Sequence, residues 1–269
     1  GMMDCKKALE ETNGDIEKAI DLLRKKGADI AAKRADYETN NGRVEAYVAT
    51  DFRSGALIEV ACETDFSANT DAMKEFALHV AKSAQQENIA KPEELLQKNT
   101  ALKKQLDELL AKIAEKIFIS KIAFFAVDNH GIVNYYIHPG SQVGVMIELA
   151  TSNDIHGSLE ALKQIARDIC MHIAVTRPLA IAPENVDQTL VEKEKDIVKE
   201  QLKDSKKPAN ILDKIIEGKL KKFYADNCLL HQAYIKNEDQ TIEQYLKEQS
   251  DKLKNVISVK RYNIFVIGK

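Results

Sequence analysis

The stretch Glu63-Thr64-Asp65-Phe66-Ser67-Ala68-Asn69 gathers carboxylates, hydroxyls, an amide and one large aromatic ring in consecutive positions. Hydroxyl and carboxylate oxygens at this spacing serve as helix caps, because they accept the unpaired backbone N–H groups of a first turn. Acid–base chemistry would need a second titratable group set against Asp65, and His172 in Met171-His172-Ile173-Ala174 is linked to it by no recognisable spacing. The six histidines (His79, His130, His138, His156, His172, His231) form no i, i+4 pair, and the four cysteines (Cys5, Cys62, Cys170, Cys228) form no C-x-x-C. No metal site is expected from those spacings. The 11 glycines include neither G-x-G-x-x-G nor G-x-x-x-x-G-K-[ST], so direct nucleotide binding is not expected. No residue is assigned a catalytic role, no cofactor is implied, and the chain reads as a non-enzyme.

Phe66 has two readings. It can fold back as a staple onto the helix that follows, where Met73 and Phe76 are near in sequence, and on the residues alone this is the plainer one. Alternatively it stands out of a polar loop as a knob for a partner pocket. Met2 and Met3 open a first helix too small to bury both, and methionine suits an adaptable contact surface. His172, placed near the end of an apolar helix, reads equally as a positively inclined cap of unpaired carbonyls or as part of an interface. Gly144 and Gly55 permit a tight turn or a close backbone approach.

The elements that position these residues follow from periodicity. Residues 2–11 and 15–26 read as two short helices separated by Asn13-Gly14, the second ending at Gly27. A basic stretch with Arg24, Lys25, Lys26, Lys33 and Arg34 follows, then a polar linker over 36–42 that allows the two parts to move independently. Beyond it the chain repeats itself: residues 42–81 laid on 131–170, an offset of 89, give 11 identities in 40 pairs, among them Gly42/Gly131, Tyr47/Tyr136, Gly55/Gly144, Glu59/Glu148 and Asp65/Asp154. Phe66 faces the smaller Ile155 in that alignment, which makes the first copy the better candidate for a specialised tip.

Each copy reads as strand, turn, strand and amphipathic helix, over 43–50, 56–62 and 71–84 in the first and 132–138, 145–151 and 159–174 in the second. A late strand closes each copy, over 117–127 and 256–267; matching Lys121 to Lys260 gives an offset of 139 and so an insertion of 50 residues in the second copy. That insertion reads as a helical hairpin, with Val191, Ile197, Val198 and Leu202 on one arm, a break over 204–208, and Ile211, Leu212, Ile215, Ile216, Leu220 and Phe223 on the other. A projecting antiparallel coiled coil and a packed helical pair both fit the pattern. The fold class is α+β, divided into a helical module over 1–35, a core subdomain over 36–128, and a second core subdomain over 129–269 with its insertion at about 185–235.

The chain has 269 residues, with 39 Lys and Arg against 42 Asp and Glu, a net charge of −3. No global basic field draws it to nucleic acid, and its apolar runs fall short of the ~20 residues of a membrane span. No membrane contact and no direct nucleic acid are expected, and the scattered cysteines suit a reducing cytoplasm. A nucleic-acid-binding accessory protein, using the basic run 24–34, is the alternative to a protein-binding role and predicts affinity that falls steeply with salt.

The residues Gly1-Met2-Met3-Asp4-Cys5-Lys6-Lys7-Ala8-Leu9, Asn13-Gly14-Asp15, Lys25-Lys26-Gly27, Glu63-Thr64-Asp65-Phe66 and Met171-His172-Ile173-Ala174, in this order, resemble translation elongation factor Ts. The resemblance covers essentially the whole chain. It implies a small ubiquitin-associated-like helical module, two repeated core subdomains with antiparallel sheets, and a coiled-coil insertion. It also implies a cytoplasmic guanine-nucleotide exchange factor whose partner is elongation factor Tu, in its GDP-bound and nucleotide-free states. By the same resemblance Thr64, Asp65, Phe66 and Ser67 dislodge the partner's magnesium ion, with Phe66 as the wedge. Met2 and Met3 meet an exposed helix of the partner, and Val143, Gly144 and His172 belong to a second contact surface. Ser67 stands where the family usually has Val, Val143 where Ile is common, and the helical module is expected to lack a helix that family members carry before Gly1.

Overall fold

The structure, a computed structural model, describes residues 2–34, 36–155, 157–202 and 209–269, with side chains undescribed at Met2, Asp4, Arg24, 26–33 and 209–210. The break expected over 204–208 lies outside the described residues. By its internal contacts the chain divides into two units: one runs to Asp128 and adds Ile132–Glu148 and Tyr262–Lys269, and the other comprises Asn129–Gly131 and Leu149–Arg261.

The first unit opens with α1 (Met2–Glu11) and α2 (Ile16–Lys33). Asn13 and Gly14 both have positive φ, as the turn between the helices requires, and Asp15 accepts the Lys18 N–H. The helix α2 continues through Gly27, where its end is expected from sequence, because tertiary packing outweighs the ~1 kcal/mol propensity cost of one glycine. It lies along α6 (Thr100–Ile113), and Arg34 Nη1 pairs with Glu63 Oε2 at 2.6 Å. The helical pair thus packs on the elements of the first sheet, in the same compact unit.

The strands β1 (Asn41–Val48), β2 (Ser54–Cys62) and β3 (Phe118–Ala126) form an antiparallel sheet in that order. Alternation along β2 sends Ala56, Ile58, Val60 and Cys62 to one face. There they pack on α4 (Asp71–Glu87), α5 (Pro92–Lys98) and α6, through Met73, Phe76, Val80, Leu95, Leu102 and Leu106. Leu57 faces the other way, into a second cluster with Val44, Ala46, Phe125, Val133, Met146 and Phe265. Both faces of β2 are covered, which explains its nearly continuous apolar run. Between β2 and α4 a four-residue helix, α3 (Asp65–Ala68), carries the polar stretch.

The strands β4 (Gly131–Ile137), β5 (Val143–Thr151) and β8 (Ile257–Val266) make the second three-stranded sheet. Hydrogen bonds obey the repeat to the residue. Val44 N–H donates to Ser141 O at 2.8 Å and Val133 N–H to Phe52 O at 2.7 Å, and the 89 offset exchanges one bond for the other. Phe52 and Ser141 share the same left-handed backbone, at φ 57° and 55°. Val127 N–H meets Arg53 O at 2.9 Å, and Ile267 N–H meets Gln142 O at 3.0 Å. These last two bonds set the closing strands 140 positions apart, not 139, so Lys121 corresponds to Arg261 and Phe125 to Phe265. The shared lysine misleads by one residue, because the backbone bonds and not residue identity fix which positions correspond.

In the second unit α7 (Leu159–Thr176) buries Leu162, Ile165, Ile169 and Ile173. The helices α8 (Gln188–Gln201) and α9 (Ala209–Asn227) form the expected pair. At its base Ala180, Val186, Val191 and Cys228 are packed by Leu220, Phe223 and Tyr224. Val191 and Val198 are buried, whereas Ile197 and Ile211, assigned to the seam by periodicity, are exposed. A short hairpin of β6 (Ala233–Tyr234) and β7 (Asn237–Thr241) leads into α10 (Ile242–Leu253), which opens with a Thr241/Gln244 capping box. Among the described residues no helix is long and apolar enough to cross a membrane, and no group of three or more His, Cys, Asp and Glu is placed to hold a metal ion.

Candidate functional site

Thr64 is the N-cap of α3: its backbone is extended and its Oγ1 accepts the Ser67 N–H at 3.2 Å. The cap fixes the inside and outside of the turn. Ser67 and Ala68 point inward, Ser67 being 2% exposed, and Ala68 joins the core beneath. Thr64, Asp65 and Phe66 face outward, and the Phe66 ring is 81% exposed. Sequence favours the staple; the structure has the knob, because so short a helix rotates residue 66 away from Met73 and Phe76, which are buried on α4.

The knob stands on a braced base. Glu115 accepts from both the N–H and the hydroxyl of Thr64, at 3.2 and 2.9 Å. Glu63 Oε1 accepts the Lys116 N–H at 2.7 Å, while Asn41 Nδ2 donates to Glu63 O at 2.8 Å. Asn69 Nδ2 donates to Asp65 O at 2.8 Å, closing the far side of the turn. Beneath it Cys62 Sγ meets Thr64 O at 3.1 Å; burial first, and then the Glu115 charge, pushes this thiol up to about 11. The roles of Glu63 and Glu115 escape a sequence reading. Glu115 lies 51 positions along the chain from Thr64, and no local spacing links the two.

The other expected site residues lie on separate elements. The Met2 side chain lies outside the described residues, and Met3 on α1 is 64% exposed. Val143, half-buried, opens β5, and its carbonyl accepts the His138 N–H at 2.9 Å. Gly144 is buried: a Cβ there would press on Val44, Ile137 and Leu57, just as one at Gly55 would press on Val48 and Met146. Both glycines therefore exist for close packing. In the second unit His172 is fully buried within α7. Its Nε2 meets Gln232 Oε1 at 2.9 Å, and its Nδ1 receives the Ile235 N–H at 3.4 Å. Desolvation lowers its pKa against the opposing Gln232 bond, which disfavours the cationic helix cap that its position in sequence suggests.

An exposed aromatic ring on a capped and braced turn is the distinguishing feature of this two-sheet α+β scaffold. The sequence model of the family described as "Elongation factor TS" matches residues 63–269, beginning at the braced loop itself. A protein named "Elongation factor Ts" from Clostridium perfringens (strain SM101 / Type A) is 40% identical over 273 residues, covering 100% of this chain and 88% of the relative. Another of that name from Nautilia profundicola is 45% identical over 244 residues, 88% of this chain and 78% of the relative. A third, from Trichlorobacter lovleyi, is 38% identical over 275 residues. The chain belongs to the elongation factor Ts family.

Proposed function

We propose that this chain is a guanine-nucleotide exchange factor for elongation factor Tu, and that it acts by binding, with no covalent chemistry of its own. The observation that carries the reading is the Phe66 ring, 81% exposed on a capped and braced turn. In the partner a magnesium ion bridges nucleotide phosphate oxygens and protein ligands, so a wedge that shifts the elements holding the ion weakens the grip on GDP. Phe66 is the wedge, Thr64 and Asp65 flank it, and buried Ser67 anchors the turn. Met3, and Met2 beside it in sequence, supply a further contact. Val143 and Gly144 in one unit and His172 in the other act through the surfaces they support. Factor and nucleotide weaken each other's binding reciprocally, and the excess of free GTP sets the direction of exchange.

The test is stopped-flow release of a fluorescent GDP analogue from elongation factor Tu with and without this chain. Acceleration that saturates with factor concentration supports the proposal. Tight binding to elongation factor Tu without acceleration refutes it.

A further inference from the structure

We propose that Glu115 is a positioning residue of the Phe66 knob, acting through Thr64; the inference rests on the exchange reading above. Thr64 Oγ1 has two tasks: it must accept the Ser67 N–H that starts α3, and it must send its own proton elsewhere. Glu115 takes that proton at 2.9 Å and the Thr64 N–H at 3.2 Å, so one carboxylate fixes both the backbone and the side chain of the cap. With Thr64 so held, the direction of the exposed ring two residues on is set before any partner arrives.

The second copy of the repeat shows that this position is a built clamp. By the offsets of 89 and 140, Thr64 corresponds to Asn153, Glu63 to Ser152, Glu115 to Asn255 and Lys116 to Val256. Asn255 Oδ1 accepts the Asn153 N–H at 3.0 Å, as Glu115 accepts from Thr64. Ser152 Oγ accepts the Val256 N–H at 3.1 Å, as Glu63 accepts from Lys116. The backbone brace is therefore common to both copies. In the second it is made of neutral groups, Asn255 is buried, and Ile155 stands at the position of Phe66. In the first both clamp residues are carboxylates, and Glu115 gains the bond to the Thr64 hydroxyl, for which Asn153 has no counterpart. Asn255 adds bonds of its own, donating Nδ2 to Asn153 O at 3.2 Å and to Asp154 O at 3.3 Å, so both copies are clamped; what sets the first apart is that its brace also holds the side chain of the cap residue, through the Thr64 hydroxyl.

The test is a double-mutant cycle on the full chain, read by GDP release from elongation factor Tu over a range of factor concentrations. Glu115→Ala is expected to lower the maximal release rate about 3–10-fold, the worth of about one ordinary hydrogen bond, since both bonds to Glu115 are solvent-exposed. The half-saturating concentration should change less than about twofold, because the remaining contact surface is intact. Glu115→Gln, which keeps one acceptor, should recover part of the rate. In a Phe66→Ala background Glu115→Ala should have no further effect, since there is no ring left to aim. Full rate in Glu115→Ala beside a slowed Phe66→Ala overturns the positioning role while leaving exchange standing. Additive losses in the double variant overturn it as well. If Glu115→Ala fails to fold, Glu115→Gln decides: a Phe66-dependent loss supports the role and an unaltered rate overturns it. A parent chain that accelerates nothing overturns the exchange reading and this inference together.

Discussion

Replacing Phe66 by Ala separates docking from stability, because the ring is 81% exposed in the free chain. Full burial of a phenylalanine side chain contributes about 2–3 kcal/mol. Only about one fifth of that, ~0.5 kcal/mol, is realised inside the folded chain, which for this length lowers the melting temperature by about 1–2 °C. The remaining four fifths, ~2 kcal/mol, becomes available only when a partner covers the ring, and that is ~30-fold in an equilibrium or rate. The variant should therefore melt almost where the parent does and accelerate GDP release ~30-fold less. Stopped-flow release at saturating factor and a parallel thermal melt check both halves. A fall in melting temperature beyond about 5 °C with release unchanged refutes the reasoning, since it places the ring's energy within the chain.

Gly144→Ala should destabilise the chain by about 1–3 kcal/mol through the forced shift of Val44, Ile137 and Leu57, with Gly55→Ala of similar size; denaturant titration measures both, and a change below ~0.5 kcal/mol contradicts the packing argument. The lowered pKa of His172 means that the unfolded chain, titrating near ~6.5, takes a proton first, so this residue's contribution is complete above that pH and is lost as pH falls through the lower folded value. Melts between pH 7.5 and 5.5 should show a slope that His172→Gln flattens, and an identical slope in that variant counts against it. Exposed Cys5 should react with a thiol reagent at once, whereas Cys170, buried with its pKa raised well above the ordinary thiol value, and Cys62 should react only on unfolding. Simultaneous labelling in native buffer would show that the core opens readily.

Most of the fold was legible because each strand and helix of the repeat states its own period. The run 56–62 alternates into two buried faces, and 71–84 keeps one apolar stripe. What escaped lacks that signal. The strand Asn237–Thr241 is wholly polar and pairs only through its backbone, so nothing in its residue types marks it. Ile197 and Ile211 fit an apolar seam by spacing, yet both are exposed; the periodicity of one helix does not say which face its neighbour covers. At the candidate site the residue types of the Thr64 to Ser67 stretch announced a cap. The outward turn of Phe66 and the brace from Glu115 depend on contacts across 51 positions of sequence, which no local pattern encodes.

The reciprocal bonds of Val44 with Ser141 and of Val133 with Phe52 also order events in time. They join residues 97 and 81 positions apart, so none can form until both hairpins exist. On a ribosome adding about 5–20 residues per second, the face carrying Val44, Ala46 and Leu57 waits roughly 5–20 s for Val133 and Met146, and longer still for Phe265 in the last strand. Throughout that interval the nascent chain carries an uncovered apolar sheet face, and stalled or shortened synthesis leaves it open to aggregation.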